Sequence, residues 1–234
     1  MLLIYLITGL LLLAGGFAGH QPLFYIEQLT RTRILNTLLI FTALFTLLMI
    51  SHLTGLLSQE AGAALMMFLY SFVSGFFIGY GVRLIQLRSH SGQTLYVQRS
   101  FWTDHAPAFA ALIIILYGLY RTSLLISDPV TGIRLTSGVS LMAFGFFLWT
   151  LRAVPELRSK GILFLDKRIP WKQVIAWQWY TDDVIRIEYL HGPGTEVEEV
   201  RLIQTTIPAD EKKEVEAVLS SRMEEWKEER KKLL

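Results

Sequence analysis

Along the first 150 residues, long apolar runs alternate with short polar breaks, whereas from Gly161 onward apolar and polar residues alternate singly. A helix needs about 20 apolar residues to cross the hydrocarbon layer of a bilayer. Runs near that length predict five spanning helices, at 2–19, 34–57, 61–87, 108–126 and 139–154. The first run has no basic region ahead of it, as a secretory signal would, so it is expected to be a retained helix.

Beyond the helices the period becomes that of a strand, whose successive side chains face opposite ways. Ile175, Trp177 and Trp179 share one face, while Ala176, Gln178 and Tyr180 share the other. After the turn TDD, Ile185, Ile187 and Tyr189 alternate with Val184, Arg186 and Glu188, which predicts a half-buried hairpin. HGPGTE reads as a loop, and EVEEVRLIQTTI as a further strand with Val200 and Leu202 on one face. A last helix is expected from Pro208, with Asp210 and Glu211 in a first turn where the helix dipole favours negative charge. Its stripe of Val215, Leu219 and Trp226 would lie across the sheet, with Arg230, Lys231 and Lys232 at the far end. The pattern thus divides the chain into a transmembrane domain, 1–157, and a sheet-plus-helix domain, 158–234.

Composition agrees with a membrane chain: 52% of residues are hydrophobic and 18% charged, against roughly a quarter charged in soluble domains. The net charge of +2 gives no nucleic-acid signature. The absence of cysteine excludes disulfides, thiolate metal sites and a cysteine nucleophile. Basic residues in short loops favour the cytoplasmic side, which places Arg31 and Arg33, then Arg83, Arg88 and Arg99, then Arg152, Arg158 and Lys160 inside. SQEAG has no base, and the fourth connection sets Arg134 against Asp128, so both are expected outside, with Arg121 snorkelling from a helix end. The amino terminus is then outside and the carboxy terminus cytoplasmic. Dropping the first helix leaves the carboxy terminus on the same side.

Small residues mark close helix approach. Ser71, Gly75 and Gly79 recur every four residues in the third helix, and Gly15 and Gly19 do so in the first. They serve either an oligomer or partner interface or, as expected here, packing within this chain's own bundle. The central thirds of the helices carry no ionisable residue, which disfavours active transport. His52 and Asn36 lie toward helix ends, and Thr37, Thr42 and Thr46 are expected to bond carbonyls of their own helix. In the loop after the third helix, Asp104 and His105 would point about 100° apart on a helix, so a metal site with His90 is not expected. Leu95, Tyr96, Phe101 and Trp102 read instead as an aromatic belt at the headgroups, with Arg88 and Arg99 facing anionic lipid. Lys160, Lys167, Arg168 and Lys172 form a second basic group expected to touch anionic lipid, with Trp171 beside them at the headgroups. Trp177 and Trp179 are expected to meet the terminal helix near Trp226 instead.

No G-x-S-x-G, H-E-x-x-H, P-loop or dinucleotide fingerprint occurs, and Glu196, Glu198 and Glu199 read as a solvated strand edge. His20, His52, His90 and His105 are not placed in a helix centre where a pigment metal would sit. A non-enzyme without cofactor or metal is expected.

One longer pattern runs through Lys160, Gly161 and Ile162, then Arg168, Ile169 and Trp171, then Val174, Ile175 and Trp179, and ends in Asp182, Asp183, Val184, Ile185 and Ile187. With the further strand and the terminal helix, it resembles the small pleckstrin-homology-like domains that follow transmembrane helices in many bacterial membrane proteins. The segment supplies fewer strands than the seven of that barrel. The resemblance covers the carboxy-terminal segment alone; taken with the apolar runs, the chain is expected to be a membrane all-α bundle of about five helices followed by a small cytoplasmic α+β domain, in a bacterial inner membrane. The expected role is a scaffold, assembly factor or accessory subunit whose partners are membrane lipids and a protein, in a homo- or hetero-oligomer. The alternative is a homo-oligomeric channel or membrane effector gated by the cytoplasmic domain.

Overall fold

The structure is a computed structural model that describes residues 2–22, 24–26, 30–98, 102, 105–124, 129–152, 154–191 and 199–231. Expectations placed on Arg99, Phe101, Asp104, Ile126, Asp128, Glu196, Glu198 and Lys232, and on the Arg230 side chain, lie outside that description. The chain divides into two compact units: Met1–Ile85 with His105–Leu151, and Gln86–Asp104 with Arg152–Leu234.

The first unit is helical. It contains α1 (Leu2–His20), α2 (Arg31–Leu53), most of α3 (Gln59–His90), α4 (Ala106–Arg121) and α5 (Gly132–Thr150). Among the described residues, α1, α2, α3 and α5 are long and apolar enough to cross a membrane, and α4 is a shorter apolar helix. Several boundaries differ from the hydropathy pattern, the fourth helix for instance ending at Arg121 and turning at 122–124 rather than running on to 126, and two of the shifts have plain local reasons. The second helix stops at Leu53 rather than 57, because the chain turns at Gly55 with φ +76°. The fifth begins at Gly132 rather than 139: Thr131 caps it by accepting the Arg134 amide at 3.4 Å, and the Arg134 guanidinium donates to Ser123 Oγ at 3.0 Å.

The helices of this unit meet through glycine. A Cβ on Gly15 or Gly19 would run into the Phe72 or Phe76 carbonyl, and one on Gly75 or Gly79 into the Leu12 or Gly16 carbonyl. Ser71 is buried on the same helix as Gly75 and Gly79. The small-residue faces of α1 and α3 are therefore spent on each other. A second glycine seam, unread in the sequence, joins α4 and α5: a Cβ on Gly138 would lie 2.6 Å from the Gly118 carbonyl oxygen. Aromatic rings fill the space between α3 and α5, with Phe77 5.0 Å from Phe144 and Tyr80 5.2 Å from Phe147. No residue of α2 is buried, and Thr37 and Thr46 bond the carbonyls one turn back, at 2.8 Å each.

The second unit is built on two antiparallel sheets. The first orders β1 (Thr94–Val97), β2 (Glu156–Arg158), β3 (Gly161–Phe164) and β4 (Lys167–Ile169) side by side. The second orders β5 (Val174–Trp179), β6 (Val184–His191) and β7 (Glu199–Thr206), and α6 (Lys212–Glu225) and the short α7 (Lys227–Lys231) follow. Register aligns Tyr96, Leu157, Ile162 and Ile169 in one row across the first sheet, and Trp177, Ile187 and Ile203 across the second. These rows share one hydrophobic core with Val215 and Leu219 of α6.

Several expectations change here. Leu95 and Tyr96 belong to a strand rather than a headgroup belt, and Tyr96 is a core residue. The strand is short and pairs with a segment about 60 residues away, so its partner is invisible to local periodicity. The sheet unit accordingly takes in 86–104 and starts at Arg152, ahead of 158. Trp171 is only 1% exposed and its Nε1 donates to the Arg158 carbonyl at 2.8 Å, because a short 3-10 turn after Pro170 folds the ring inward. Val200 and Leu202 do share a face, but it is the open one, whereas Ile203 on the other face is buried. Trp177, Trp179 and Trp226 all pack partly buried against the core, and the final helix starts at Lys212 after a turn from Pro208.

Candidate functional site

Among the described residues, a cluster of polar side chains surrounds the last turn of α3. The final carbonyls of a helix have no partner within it and carry the negative end of the dipole, so cations satisfy them well. Arg158 Nη1 donates to the carbonyls of Arg88 at 2.9 Å and Gly92 at 3.1 Å, and Arg168 Nη1 donates to that of His90 at 3.3 Å. The Lys160 backbone amide donates to the Ser91 carbonyl at 3.3 Å. Gly92 and Gly161, both in left-handed backbone at φ +80° and +146°, give the turns that bring β1 and β3 to this place.

One carboxylate organises the collar. Glu156 and Arg158 stand two apart on β2 and so share a face. Arg158 Nε and Nη2 donate to Glu156 Oε2 at 2.8 and 2.6 Å, a charge-assisted fork. The other oxygen, Oε1, faces Arg88 at 3.9 Å and Arg152 at 3.8 Å, ion-pair distances too long for hydrogen bonds. The Glu156 side chain is 4% exposed, that of Arg158 13%, of Arg88 22% and of Arg152 46%, so the cluster grades from interior to surface.

The six residues expected to contact anionic lipid therefore fall into separate places. Arg88, Lys160 and Arg168 gather at the collar, with Lys160 and Arg168 exposed. Lys167 turns away: its Nζ lies 2.7 Å from His191 Nδ1 and 5.4 Å from the Tyr189 ring centre. Lys172 is exposed on the 3-10 turn, and Arg99 lies outside the described residues. From the sequence alone Arg152 and Arg158 mark only sidedness, and Glu156 has no assigned role. The signal was present, since a lone acid in RAVPELRSK with bases at −4 and +2 reads as a carboxylate amid guanidiniums.

A second contact ties β1 to the terminal helix segment. Tyr96 Oη donates to Glu211 Oε2 at 2.5 Å. Burial first, and then the Glu211 carboxylate with Glu214 and Asp210 nearby, push the phenol well above its ordinary range. Trp179 contacts α6 in a related way, donating to Glu216 Oε1 at 2.7 Å under the Lys212 ammonium, 4.4 Å from its ring centre. In the helical unit, Arg83 Nη1 donates to the Gln21 and Phe24 carbonyls, both at 3.1 Å, and stands over Tyr25 and Tyr80.

Two of the histidines considered as ligands lie against backbone carbonyls. His90 Nδ1 lies 2.7 Å from the Gln86 carbonyl, and His52 Nδ1 lies 3.4 Å from that of Leu57. Among the described residues no group of three His, Asp or Glu side chains could hold a metal ion. His52 and Gln59 are the polar lining of an otherwise apolar cleft formed by α2, α3 and Ile133.

Residues 154–224 match the model of a domain of unknown function, DUF5673. The DUF5673 segment holds β2 to β7 and nearly all of α6, together with Glu156 and Arg158 of the collar. It leaves out β1, Arg88 and Arg152, which the preceding chain contributes. No curated protein and no solved structure matches the chain.

Proposed function

We propose that the chain is a non-enzymatic integral membrane scaffold, assembly factor or accessory subunit. Its apolar helices span a bacterial inner membrane with the amino terminus outside, and a pleckstrin-homology-like domain is presented on the cytoplasmic side. The supporting observation is the count and origin of the strands. With β1 and β2 added, the described strands number four in one sheet and three in the other, followed by a helix, which is the complement that the sequence alone left short. β1 follows α3 and precedes α4, and β2 follows α5, so the module joins apolar helices at three points of the chain. A domain woven between spans in this way suits presentation of a surface at the membrane rather than free diffusion.

The partner reading draws on β7. It is an edge strand, and its open face exposes Val200 by 57% and Leu202 by 46%. An apolar open edge is a surface that a protein partner covers. Native mass measurement of the full chain after mild detergent extraction tests this. A defined hetero-complex, weakened when Val200 and Leu202 are both changed to Thr, supports the scaffold. A homo-oligomer that conducts ions in liposomes overturns it in favour of a channel.

A further inference from the structure

We propose that α2 pairs with α2 of a second copy of this chain, through the face that carries Asn36 and Ala43. The helix is the exception in its unit: none of its residues is buried, whereas α1, α3, α4 and α5 each bury at least two. Its inward side is fixed, because Phe45, Leu48, Met49 and His52 line the cleft against α3 at the spacing of one helix face. At about 100° per residue, Asn36, Ile40, Ala43, Leu47 and Ile50 lie about 140° to 180° from Phe45. That opposite face is exposed at each of these positions.

In a helix this apolar, Ile and Leu decide little; the amide and the small residue identify the occupant. Thr37, Thr46 and Ser51 donate their hydroxyl protons to carbonyls of α2 itself, at 2.8 Å each. The Asn36 amide has no hydrogen-bond partner among the described residues. A primary amide is costly in hydrocarbon unless bonded, and it carries donors and an acceptor together. Copies in one bilayer share their sidedness, so two α2 helices meet in parallel about a two-fold axis, with both Asn36 side chains at the same depth. Each amide then donates to the other, a complement that lipid tails lack. Ala43 lets the two backbones approach, and steps of 4, 3, 4 and 3 from Asn36 to Ile50 are those of a left-handed helix pair. The pairing rests on the membrane placement proposed above. Two helices in contact enclose no pore, so this dimer is distinct from the channel alternative.

The chain has no cysteine, so one introduced thiol reports on one position. Full-length single-cysteine variants in vesicles of phosphatidylcholine and phosphatidylglycerol are oxidised and read on a non-reducing gel. Ala43→Cys and Leu47→Cys are expected to cross-link to a dimer, and Phe45→Cys, on the side toward α3, is not. Energy transfer between labelled copies, diluted with lipid, then gives the dissociation constant. Asn36→Leu should raise it about tenfold, the size of an interhelical hydrogen bond in model membrane peptides. Leu10→Ala, at an exposed position of α1, should leave it unchanged. The proposal is overturned if neither Ala43→Cys nor Leu47→Cys cross-links, or if Phe45→Cys does so as readily. It is equally overturned if Asn36→Leu associates as wild type does, which would leave the amide to the headgroups, or if Leu10→Ala weakens association as much. Retention in vesicles after alkaline washing checks the membrane placement by itself: loss of retention overturns both readings, and retention without cross-linking overturns the pairing alone. The Val200 and Leu202 edge takes no part in these measurements, so failure to find a hetero-complex is a separate result.

Discussion

The two units are held together by opposite means. In the helical unit the closest contacts are backbone to backbone, at Gly15, Gly19, Gly75 and Gly79 between α1 and α3, and at Gly118 and Gly138 between α4 and α5. Many of its large apolar side chains face outward: Leu10, Leu13 and Phe17 of α1 and Ile113 and Leu116 of α4 are all more than half exposed. In the sheet unit the large side chains are inside, with Trp171, Ile162, Ile169 and Leu219 at 1% exposure or less. The difference follows from the solvent each pattern suits. Hydrocarbon offers no gain for burying leucine, so helices associate by close fit, Cα–H···O contacts and dispersion. Water drives bulk into a core at about 25 cal/mol per Å² of apolar surface removed.

If that contrast is right, bulk and smallness should be costly in opposite places. The largest effect is expected from Trp171→Ala, which removes the largest fully buried side chain together with its hydrogen bond to the Arg158 carbonyl. Loss of about 4 kcal/mol is expected, confined to the sheet unit. Limited proteolysis should then release the carboxy-terminal segment while α1 and α3 stay protected. Protection of both units would break the comparison.

The reverse substitution probes the helices. Gly75→Leu places side-chain atoms against the Leu12 carbonyl and the Gly16 amide, neither of which can swing aside as a rotamer would. A cost of about 3 kcal/mol in detergent-phase unfolding is expected, at the upper end for overpacking. Gly9→Leu serves as the contrast on α1, the helix that Gly75 of α3 packs against, since nothing lies within 4 Å of its would-be Cβ, and it should be neutral. Equal effects at Gly9 and Gly75 would mean that helix propensity, not close approach, decides.

Legibility in the sequence follows the same division. The apolar helices and the β6 alternation are legible because each repeats one local period over many residues, and Ile185, Ile187 and Tyr189 are all buried as that period requires. What local period could not carry was long-range pairing. TLYV between two apolar helices offers four residues that suit a headgroup belt as well as a strand, and only Leu157 opposite Tyr96 decides between them. Trp171 misled in the same way, because an aromatic beside Arg168 and Lys172 looks interfacial until Pro170 and the 3-10 turn rotate it inward. The collar was half legible: its bases were read for their sign, but the buried acid that gathers them was not.

The smallest expected effect concerns the contact where β1, contributed from between two apolar helices, is tied to the Glu211 turn by a polar rather than an apolar bond. Tyr96→Phe keeps the ring in the core and deletes the bond to Glu211, for a loss of about 1.5 kcal/mol, the low end for a hydrogen bond to a charged group. The pH dependence gives a sharper reading. Because folding raises the pKa of Tyr96, its contribution is fully present below the unfolded phenol pKa of about 10. Above that, the unfolded chain gives up the proton while the folded chain holds it, so wild-type stability should fall with rising pH. Tyr96→Phe should lack that component, and the two unfolding curves should converge in strong alkali. Parallel curves across the alkaline range would show that the phenol is not held by Glu211, and the link between β1 and the terminal helix would then rest on ring packing alone.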